Sequence, residues 1–309
     1  MKKMKRTVLL TRSELRVSCL SYCEKFTILR KGISNPLHIA RPEGYIGHRL
    51  IVLAITLLSL SPSLLTAQNK VNTVVIDAGH GGRQPGTSGK YTREKDITLK
   101  VALKLGAVIE QNMKDVKVFY TRTKDVEVGF DERANIANNN HADVFISIHA
   151  NSLPEETPDE RKQQIYGTET YVMGLHVSEA NFEVAKRENS AMYSEENYEE
   201  KYEGFDPNSP ESYILLNLNQ SANQEGSLLL ASKIESQLKL KAGRKSKGVK
   251  QAGFLVLWKT TMPSVLVEIG YLSNTKEEKE LNDDKVQDYI ASAIYRAFKD
   301  YKTQMDTIN

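Results

Sequence analysis

Residues 73–82 read TVVIDAGHGG, an apolar and mostly β-branched run that ends in a glycine-rich loop. The run predicts a buried strand, and the glycines after it let the backbone approach a ligand or a metal closely. Residues 142–149, ADVFISIH, repeat the pattern of a buried strand that ends in a histidine. Strand ends line the ligand-binding crevice of an open α/β sheet, so we expect His80 and His149 on that side.

Helical and strand periodicities alternate along the rest of the body. Apolar residues at helical spacing predict a helix over residues 96–112 and another that closes the chain after an N-cap at Asn274. Further strands are predicted at residues 116–122, 166–173, 254–257 and 265–269, and shorter helices near residues 130–137 and at 178–189. Strands that alternate with helices predict an α/β sheet that carries its site at the strand ends.

Two glutamates complete a candidate site. Glu94 comes at the start of the predicted helix, and Glu268 interrupts the apolar strand VLVEIG at residues 265–270. His80, Glu94 and His149 would give three nitrogen and oxygen ligands with one open position, the arrangement of a catalytic zinc. A carboxylate within so apolar a strand is costly unless it is paired or functional, and burial shifts its pKa toward the range of a general base. Glu268 is therefore the candidate base.

Each of these residues also has a structural explanation. A strand-end histidine is more often a hydrogen-bonded structural residue, and Glu94 alone fits a helix N-terminus, where negative charge is favourable. No compact metal motif such as H-E-x-x-H is present in the sequence. Spacing alone therefore leaves the metal site and the structural interpretation both open.

The composition is that of a globular protein: 309 residues, 40% hydrophobic and 26% charged. These values exclude collagen-like, wholly disordered and polytopic membrane chains. Residues 1–67 hold 11 basic and 3 acidic side chains, whereas residues 68–309 hold 31 basic and 36 acidic ones. An acidic body argues against a nucleic-acid partner, which would require a basic stripe.

The N-terminal segment has the features of a secretory signal. Basic residues precede an uncharged stretch whose core, residues 50–67, combines an apolar run with small residues at its end. We therefore predict a leader at 1–67, a single catalytic domain at 68–305, and export to the periplasm or cell envelope. The alternative is an uncleaved anchor, in which case the leader would be the contact with the membrane. Both cysteines, Cys19 and Cys23, lie in the leader, so the mature body would form no disulfide.

Four sequence blocks resemble the signature motifs of one family. They are, in order, VIDAGHGG at residues 75–82, REKD at 93–96, SIHAN at 147–151 and VEIGYLSN at 267–274. In this order they are similar to the blocks of the zinc-dependent N-acetylmuramoyl-L-alanine amidases of the type-3 amidase family. RANIAN at 133–138 and GVKQAGFLVL at 248–257 match the family as well, and the resemblance covers roughly residues 72–302. Four ordered blocks are far more specific than one short motif.

The resemblance implies a twisted, mostly parallel sheet flanked by helices, with Zn²⁺ bound by His80, Glu94 and His149. It also implies that Glu268 is the catalytic glutamate and that the substrate is peptidoglycan. The expected reaction is hydrolysis of the amide that joins N-acetylmuramic acid to the L-alanine of the stem peptide. We expect zinc to polarise the carbonyl and hold the water, while Glu268 takes the water's proton and passes it to the leaving amine.

The chain between His149 and Gly248 is longer than in minimal members of the family, and it contains the acidic run 194–210. Some relatives carry an inserted helix there that covers the zinc site until a partner displaces it. By this resemblance we expect a regulatory or lid insertion at residues 186–222 and an activator protein that displaces it. The glutamates expected to reach the metal are Glu195, Glu196, Glu199 or Glu200. The same segment could instead shape the substrate groove or form exposed surface.

Two other functions stay open. One is a different zinc peptidase of the envelope, which would release a terminal amino acid from the stem peptide. The other is a non-catalytic peptidoglycan-binding protein, against which the intact set of site residues argues. These residues are His80, Glu94, His149 and Glu268.

Overall fold

A computed structural model describes residues 70–176, 178–217 and 223–308 of the chain. The predicted leader, with its signal core at residues 50–67 and both cysteines, lies outside the described residues. Among the helices that the structure describes, none combines the length and the apolar character needed to cross a membrane.

The sheet has six strands in the order β2-β1-β3-β6-β4-β5. Every neighbouring pair is parallel except β4 and β6, which run antiparallel. The strands are β1 (Thr73–Ala78), β2 (Lys117–Tyr120), β3 (Val144–Asn151), β4 (Thr168–Met173), β5 (Ser246–Ala252) and β6 (Ser264–Tyr271). The prediction of a mostly parallel α/β sheet is confirmed.

Helices cover both faces of the sheet. The apolar faces of α1, α7 and α10 pack on one side, and α2, α4 and α8 pack on the other. The helices are α1 (Glu94–Asn112), α2 (Phe130–Asn139), α3 (Asp159–Gln164), α4 (Glu179–Asn189), α5 (Tyr198–Lys201), α6 (Pro210–Asn217), α7 (Gln224–Lys241), α8 (Leu255–Trp258), α9 (Thr275–Leu281) and α10 (Asp284–Ile308), with a 3₁₀ turn at Ser190–Ser194.

Two helix starts are capped by side chains, of which Asn274 was predicted. The Asn274 side chain accepts hydrogen bonds from the backbone N–H groups of Lys276 and Glu277, both at 3.1 Å, and so caps α9. Ser178 caps α4 in the same way, because its hydroxyl accepts from the backbone N–H of Asn181 at 3.3 Å. The predicted helix at residues 178–189 is therefore confirmed.

The strand predicted at residues 254–257 is wrong. These residues form the single-turn helix α8, whose backbone N–H at Leu255 donates to the side-chain oxygen of Asn189 at 2.8 Å. The apolar side chains are buried against the face of the sheet. The strand lies just before them, at β5, whose sequence SKGVKQA is half-buried at the sheet edge and lacks an apolar run.

The register of the central strands sets the position of the site. His149 on β3 pairs with Glu268 on β6, close to the carboxyl ends of both strands. Strand β4 runs the other way, so its beginning lies at the same edge, and Glu169 pairs with Glu268 from the opposite side. His149, Glu268 and Glu169 therefore form a row across three adjacent strands.

Candidate active site

The loop after β1 presents His80 from a tightly held backbone. His80 has a φ of 58°, and its carbonyl accepts a hydrogen bond from Arg133 at 2.9 Å. Arg133 also donates to the carbonyl of Ala78 at 2.8 Å, and Arg122 donates to the carbonyl of Gly79 at 2.8 Å. Two buried guanidinium groups thus fix three successive carbonyls, and with them the position of the imidazole.

Asp77 anchors this arrangement from within β1. Its buried carboxylate accepts from Arg133 at 2.5 Å, from the hydroxyl of Thr121 at 2.6 Å and from the hydroxyl of Ser147 at 2.6 Å. Burial raises the pKa of Asp77, but the guanidinium and the two hydroxyls outweigh burial and hold that pKa below its ordinary value. The ionised carboxylate connects β1 with β3, with α2 and with Thr121, the residue that follows β2.

Glu94 begins α1 and joins the two histidines. Its carboxylate accepts from the backbone N–H groups of Thr87 at 2.8 Å and Ala150 at 2.9 Å, which fix its orientation. One oxygen lies 3.2 Å from Nε2 of His80, and the other lies 3.0 Å from Nδ1 of His149. The three predicted ligands are therefore brought together, all of them buried.

A fourth side chain, Glu188 at the end of α4, enters the same cluster. Its Oε2 lies 3.1 Å from Nε2 of His80 and 3.0 Å from Nδ1 of His149. One ligand atom from each of the four residues lies within 4.8 Å of every other. Two imidazoles and two carboxylates at this separation could hold a metal ion.

The cluster strongly shifts the pKa values of its members. Burial lowers the pKa of His149, but the carboxylates of Glu188 and Glu94 outweigh burial and raise it well above its ordinary value; the pKa of His80 is raised for the same reasons. Burial raises the pKa of Glu94, but His80 and His149 hold it at about 2. The raised pKa values favour the protonated imidazoles, with which a metal would compete.

Glu268 lies beside the cluster, fully buried in β6. Among the described residues, neither of its carboxylate oxygens has a hydrogen-bond partner. Burial and the negative charges of Glu188 and Glu94 raise the pKa of Glu268 well above its ordinary value, although His149 and Arg187 oppose the shift. A buried carboxyl group with a raised pKa can take up and release a proton near neutral pH.

The glutamates expected to reach the metal from the insertion do not do so. Glu195 accepts hydrogen bonds from the backbone N–H of Phe130 at 3.1 Å and from the hydroxyl of Tyr202 at 2.8 Å, so it serves the start of α2. Glu196, Glu199 and Glu200 are exposed. That prediction is wrong, because the acidic run begins after the 3₁₀ turn has led the chain away from the cluster.

Glu188 was missed, although the sequence contains a signal for it. Helix α4 buries Asn181, Val184, Ala185 and Glu188, which follow one another at helical spacing. A glutamate on the buried stripe of a helix needs partners inside the protein. The helical spacing of the buried residues pointed to Glu188, whereas the density of acidic residues in the run 194–210 did not.

Arg187 ties α4 to the end of β3. It donates to the carbonyl of Ser152 at 2.8 Å and to the side-chain oxygen of Asn151 at 3.0 Å. It also pairs with Glu188 at 2.9 Å and approaches Oε1 of Glu268 to 3.9 Å. Glu188 thus covers the cluster of histidines, and the adjacent Arg187 covers Glu268.

Comparison with known proteins gives one family. The family Amidase_3, described as N-acetylmuramoyl-L-alanine amidase, matches residues 74–300. The amidase AmiC of Escherichia coli O6:H1 is 31% identical over 233 residues, which cover 74% of this chain and 52% of AmiC. The chain therefore spans about half the length of that relative.

Solved structures agree with the family match. The N-acetylmuramoyl-L-alanine amidase of Clostridium difficile 630 superposes with a TM-score of 0.55 at 27% identity, over 75% of this chain and 97% of that one. The CwlD amidase of Clostridioides difficile, solved in complex with the GerS lipoprotein, gives a TM-score of 0.55 at 27% identity, over 76% of this chain and 100% of that one. Both similarities support the fold described above.

Proposed function

This chain belongs to the Amidase_3 family of N-acetylmuramoyl-L-alanine amidases, and from that premise we propose that it hydrolyses peptidoglycan. The bond cleaved is the amide between the lactyl group of N-acetylmuramic acid and the L-alanine of the stem peptide. The observation that carries the proposal is the buried cluster of His80, Glu94 and His149 beside Glu268, within the stretch that matches the family.

We propose that His80, Glu94 and His149 hold a zinc ion. Two imidazoles and one carboxylate are a common donor set for catalytic zinc, and the close approach of their ligand atoms supports this choice. When bound, zinc polarises a carbonyl and lowers the pKa of a water molecule to about 7. Glu188, whose Oε2 lies close to both imidazoles, would be a fourth donor to such an ion and would compete with water and substrate for it.

Glu268 is the proposed general base and acid. Its carboxylate, held in an apolar strand without hydrogen-bond partners among the described residues, would take a proton from the attacking water. It would then pass that proton to the departing amine of L-alanine. The raised pKa of Glu268 supports this role, because it makes the carboxylate a stronger base toward water than a carboxylate of ordinary pKa.

Helix α4 is the proposed block on this activity. Glu188 contacts both histidines, and Arg187 lies next to Glu268, so substrate would require α4 to move. We propose that an activator protein displaces the insertion at residues 186–222, of which residues 218–222 lie outside the described part of the chain. The complex of the CwlD amidase with the GerS lipoprotein supports a protein partner of this kind.

Export to the periplasm or cell envelope is part of the proposal. The proposed substrate is the cell wall, and the apolar core at residues 50–67 has the features of a secretory signal. The catalytic domain would then comprise residues 68–305, with residues 1–67 as the leader.

The test is to incubate the purified, zinc-loaded protein with isolated sacculi and to measure new L-alanine amino termini. We expect release by the wild type or, if α4 blocks the site, by Glu188→Ala. Glu268→Gln should release none while it still binds zinc. Release of a terminal amino acid would instead indicate a peptidase. Binding of sacculi without any release, in both the wild type and Glu188→Ala, would contradict the proposed enzyme.

A further inference from the structure

A pocket of about 470 Å³ lies beside Glu268, between α4 and the strands β4 and β5. Lys247 and Lys250 of β5 line it, together with Tyr171 and Tyr271. The side chains of the two lysines are partly buried, 26% and 22% exposed, and both line the pocket. The pocket is therefore lined with hydrogen-bond donors.

The charge of this pocket is organised by Glu169. One of its oxygens accepts from Lys247 at 2.5 Å, from Lys250 at 2.9 Å and from the hydroxyl of Tyr271 at 2.6 Å. The other accepts from the hydroxyl of Tyr171 at 2.7 Å. Glu169 is 1% exposed and lines the pocket from its floor, where the two lysines and the two tyrosine hydroxyls occupy its oxygens.

The balance of charge favours an anion. Burial raises the pKa of Glu169, but Lys250, Lys247 and the hydrogen bonds outweigh burial and hold it at about 2, so the group is ionised. The lining holds four positive side chains, Arg161, Arg187, Lys247 and Lys250, and two negative ones, Glu169 and Glu183, so positive charge is in excess by two. Each ammonium has three donors, and within the described residues Lys250 uses one of them on Glu169.

The position of the pocket relates it to the reacting bond. Glu169 pairs directly with Glu268, and β5 is the next strand beyond β4. Adjacent strands lie about 4.8 Å apart, so the lysine strand is roughly 10 Å from the strand of Glu268. An extended peptide spans roughly 3.5 Å per residue, which places the pocket two or three residues from the amide.

We propose that Lys247 and Lys250 bind a free carboxylate on the second or third residue of the stem peptide. The inference rests on the proposed function and extends it to substrate recognition. The lactyl carboxyl group of N-acetylmuramic acid is consumed in the scissile amide and the sugar is neutral, so carboxylates are found on the peptide side. Amidation of that carboxylate would remove the charge that the lysines recognise.

Helix α4 closes the other side of this pocket. Ala180, Glu183, Val184 and Arg187 line it from the helix. The helix that brings Glu188 to the metal cluster therefore also covers the carboxylate pocket. Displacement of α4 would open both parts of the substrate groove at once.

The test compares muramoyl tripeptides that differ only in a free carboxylate or a carboxamide, with one pair altered at the second residue and one at the third. The zinc-loaded full chain, carrying Glu188→Ala if α4 blocks the wild type, should show a kcat/KM about tenfold or more higher for the free carboxylate of one pair. Lys250→Gln and Lys247→Gln should reduce that ratio toward one, and Lys250→Arg should keep it. Each ratio compares two substrates on the same protein sample. A variant with a smaller folded fraction therefore gives an unchanged ratio unless recognition of the carboxylate has changed.

Lys245→Gln is the matched control. Lys245 is exposed just before β5 and lies over the ring of Tyr166, outside the lining of the pocket, so its variant should discriminate as the wild type does. Equal discrimination by Lys250→Gln, Lys247→Gln and the wild type would overturn the proposal.

A second measurement separates this proposal from the proposed function. If neither the wild type nor Glu188→Ala cleaves either member of a pair, the amidase assignment fails, and calorimetric binding of the two peptides to Glu188→Ala still tests the pocket. Tighter binding of the carboxylate form by Glu188→Ala, lost when Lys250→Gln is added, would support the pocket. Equal binding of both forms would contradict it.

Discussion

At the scale of single residues, Asp77 shows how a side chain that contacts no substrate can determine the geometry of a site. Asp→Asn at this position keeps the shape but leaves the buried guanidinium of Arg133 without its counter-charge. We expect Asp77→Asn to lower the free energy of unfolding by about 3–5 kcal/mol. Urea denaturation at pH 7 measures the change.

The pH dependence of this interaction has a definite sign. Folding lowers the pKa of Asp77, so the stabilisation is fully present above the unfolded value of about 3.9 and is lost as the pH falls through the folded value. The difference in the free energy of unfolding between Asp77→Asn and the wild type should therefore become smaller below about pH 4. Asp159→Asn, at an exposed position of α3, is the control and should unfold like the wild type at pH 7.

For Glu268 the pH dependence of the stability has the opposite sign. Folding raises its pKa, so in the metal-free protein the ionised carboxylate costs stability once the pH exceeds the unfolded value of about 4.3. We expect metal-free Glu268→Gln to be more stable than the metal-free wild type at pH 8, by about 1 kcal/mol or more. The gain should disappear at pH 4.

Thermal unfolding after chelation of metal measures this gain, with Glu110→Gln as the control because Glu110 is exposed on α1. A loss of stability in Glu268→Gln at pH 8 would mean that the carboxylate has a stabilising partner.

The position of Glu268 in a strand could be predicted from the sequence, since a charge in VLVEIG requires an explanation.

The pairing of Glu268 with Glu169 was not readable from the sequence. Glu169 lies in the strand TETYVM, and the antiparallel direction of β4 depends on how the chain returns after β3. Local sequence does not encode the direction of a neighbouring strand. The lysine pocket is a consequence of that direction, so it emerged only from the fold.

At the scale of elements, the loop between β1 and α1 leaves no room for additional atoms at Gly86. Gly86 has a φ of 69°, and a Cβ there would lie 2.5 Å from both a carboxylate oxygen of Glu94 and the ring of His80. We expect Gly86→Ala to displace these groups and to weaken zinc binding by about tenfold or more. Competition with a chromogenic chelator measures the affinity.

Gly243→Ala separates backbone strain from displacement of the ligands. Gly243 has a φ of 65°, so alanine there has a backbone strain similar to that of Gly86→Ala. No atom lies within 4 Å of its Cβ position. This variant should lose stability and keep its zinc affinity. Equal zinc affinities for the two variants would show that the loop around Gly86 yields without moving the ligands.

Sequence periodicity identified most elements because their apolar patterns were long. Strands β1, β3 and β6 and helices α1, α4 and α10 were anticipated from such patterns, and the capping residues Ser178 and Asn274 were predicted or lie at a predicted boundary. Helix α7 was not anticipated, and the strand predicted at residues 254–257 is the helix α8, with β5 just before it. In α8, burial on the sheet face decided the conformation. Four apolar residues fit either a strand or one turn of helix.

At the scale of the whole molecule, the metal cluster connects folding, pH and the state of the insertion. Without metal, the raised pKa values of His80 and His149 stabilise the fold below the unfolded value of about 6.5, and this stabilisation is lost as the pH rises through the folded values. The lowered pKa values of Glu94 and Glu188 stabilise it above about 4.3. The ion pairs between histidines and carboxylates therefore compete with zinc most strongly above about pH 4.3 and below the folded pKa values of the histidines.

Zinc binds neutral imidazole, so protons held by the histidines must be released when zinc binds. We expect the rise in Tm on addition of zinc to grow between pH 6 and pH 8.5, because less proton displacement is required at the higher pH. Titration calorimetry at pH 7 in buffers of different ionisation enthalpy should give a release of about one to two protons per zinc.

Glu188→Gln tests the part that α4 contributes to this coupling. The variant removes a carboxylate that contacts both histidines, so the pKa values of the histidines should fall and fewer protons should be released at pH 7. The pH dependence of the zinc-induced rise in Tm should flatten as well. If Glu188→Gln instead released as many protons as the wild type, α4 would not hold Glu188 against the histidines in solution, and the proposed block would need another contact.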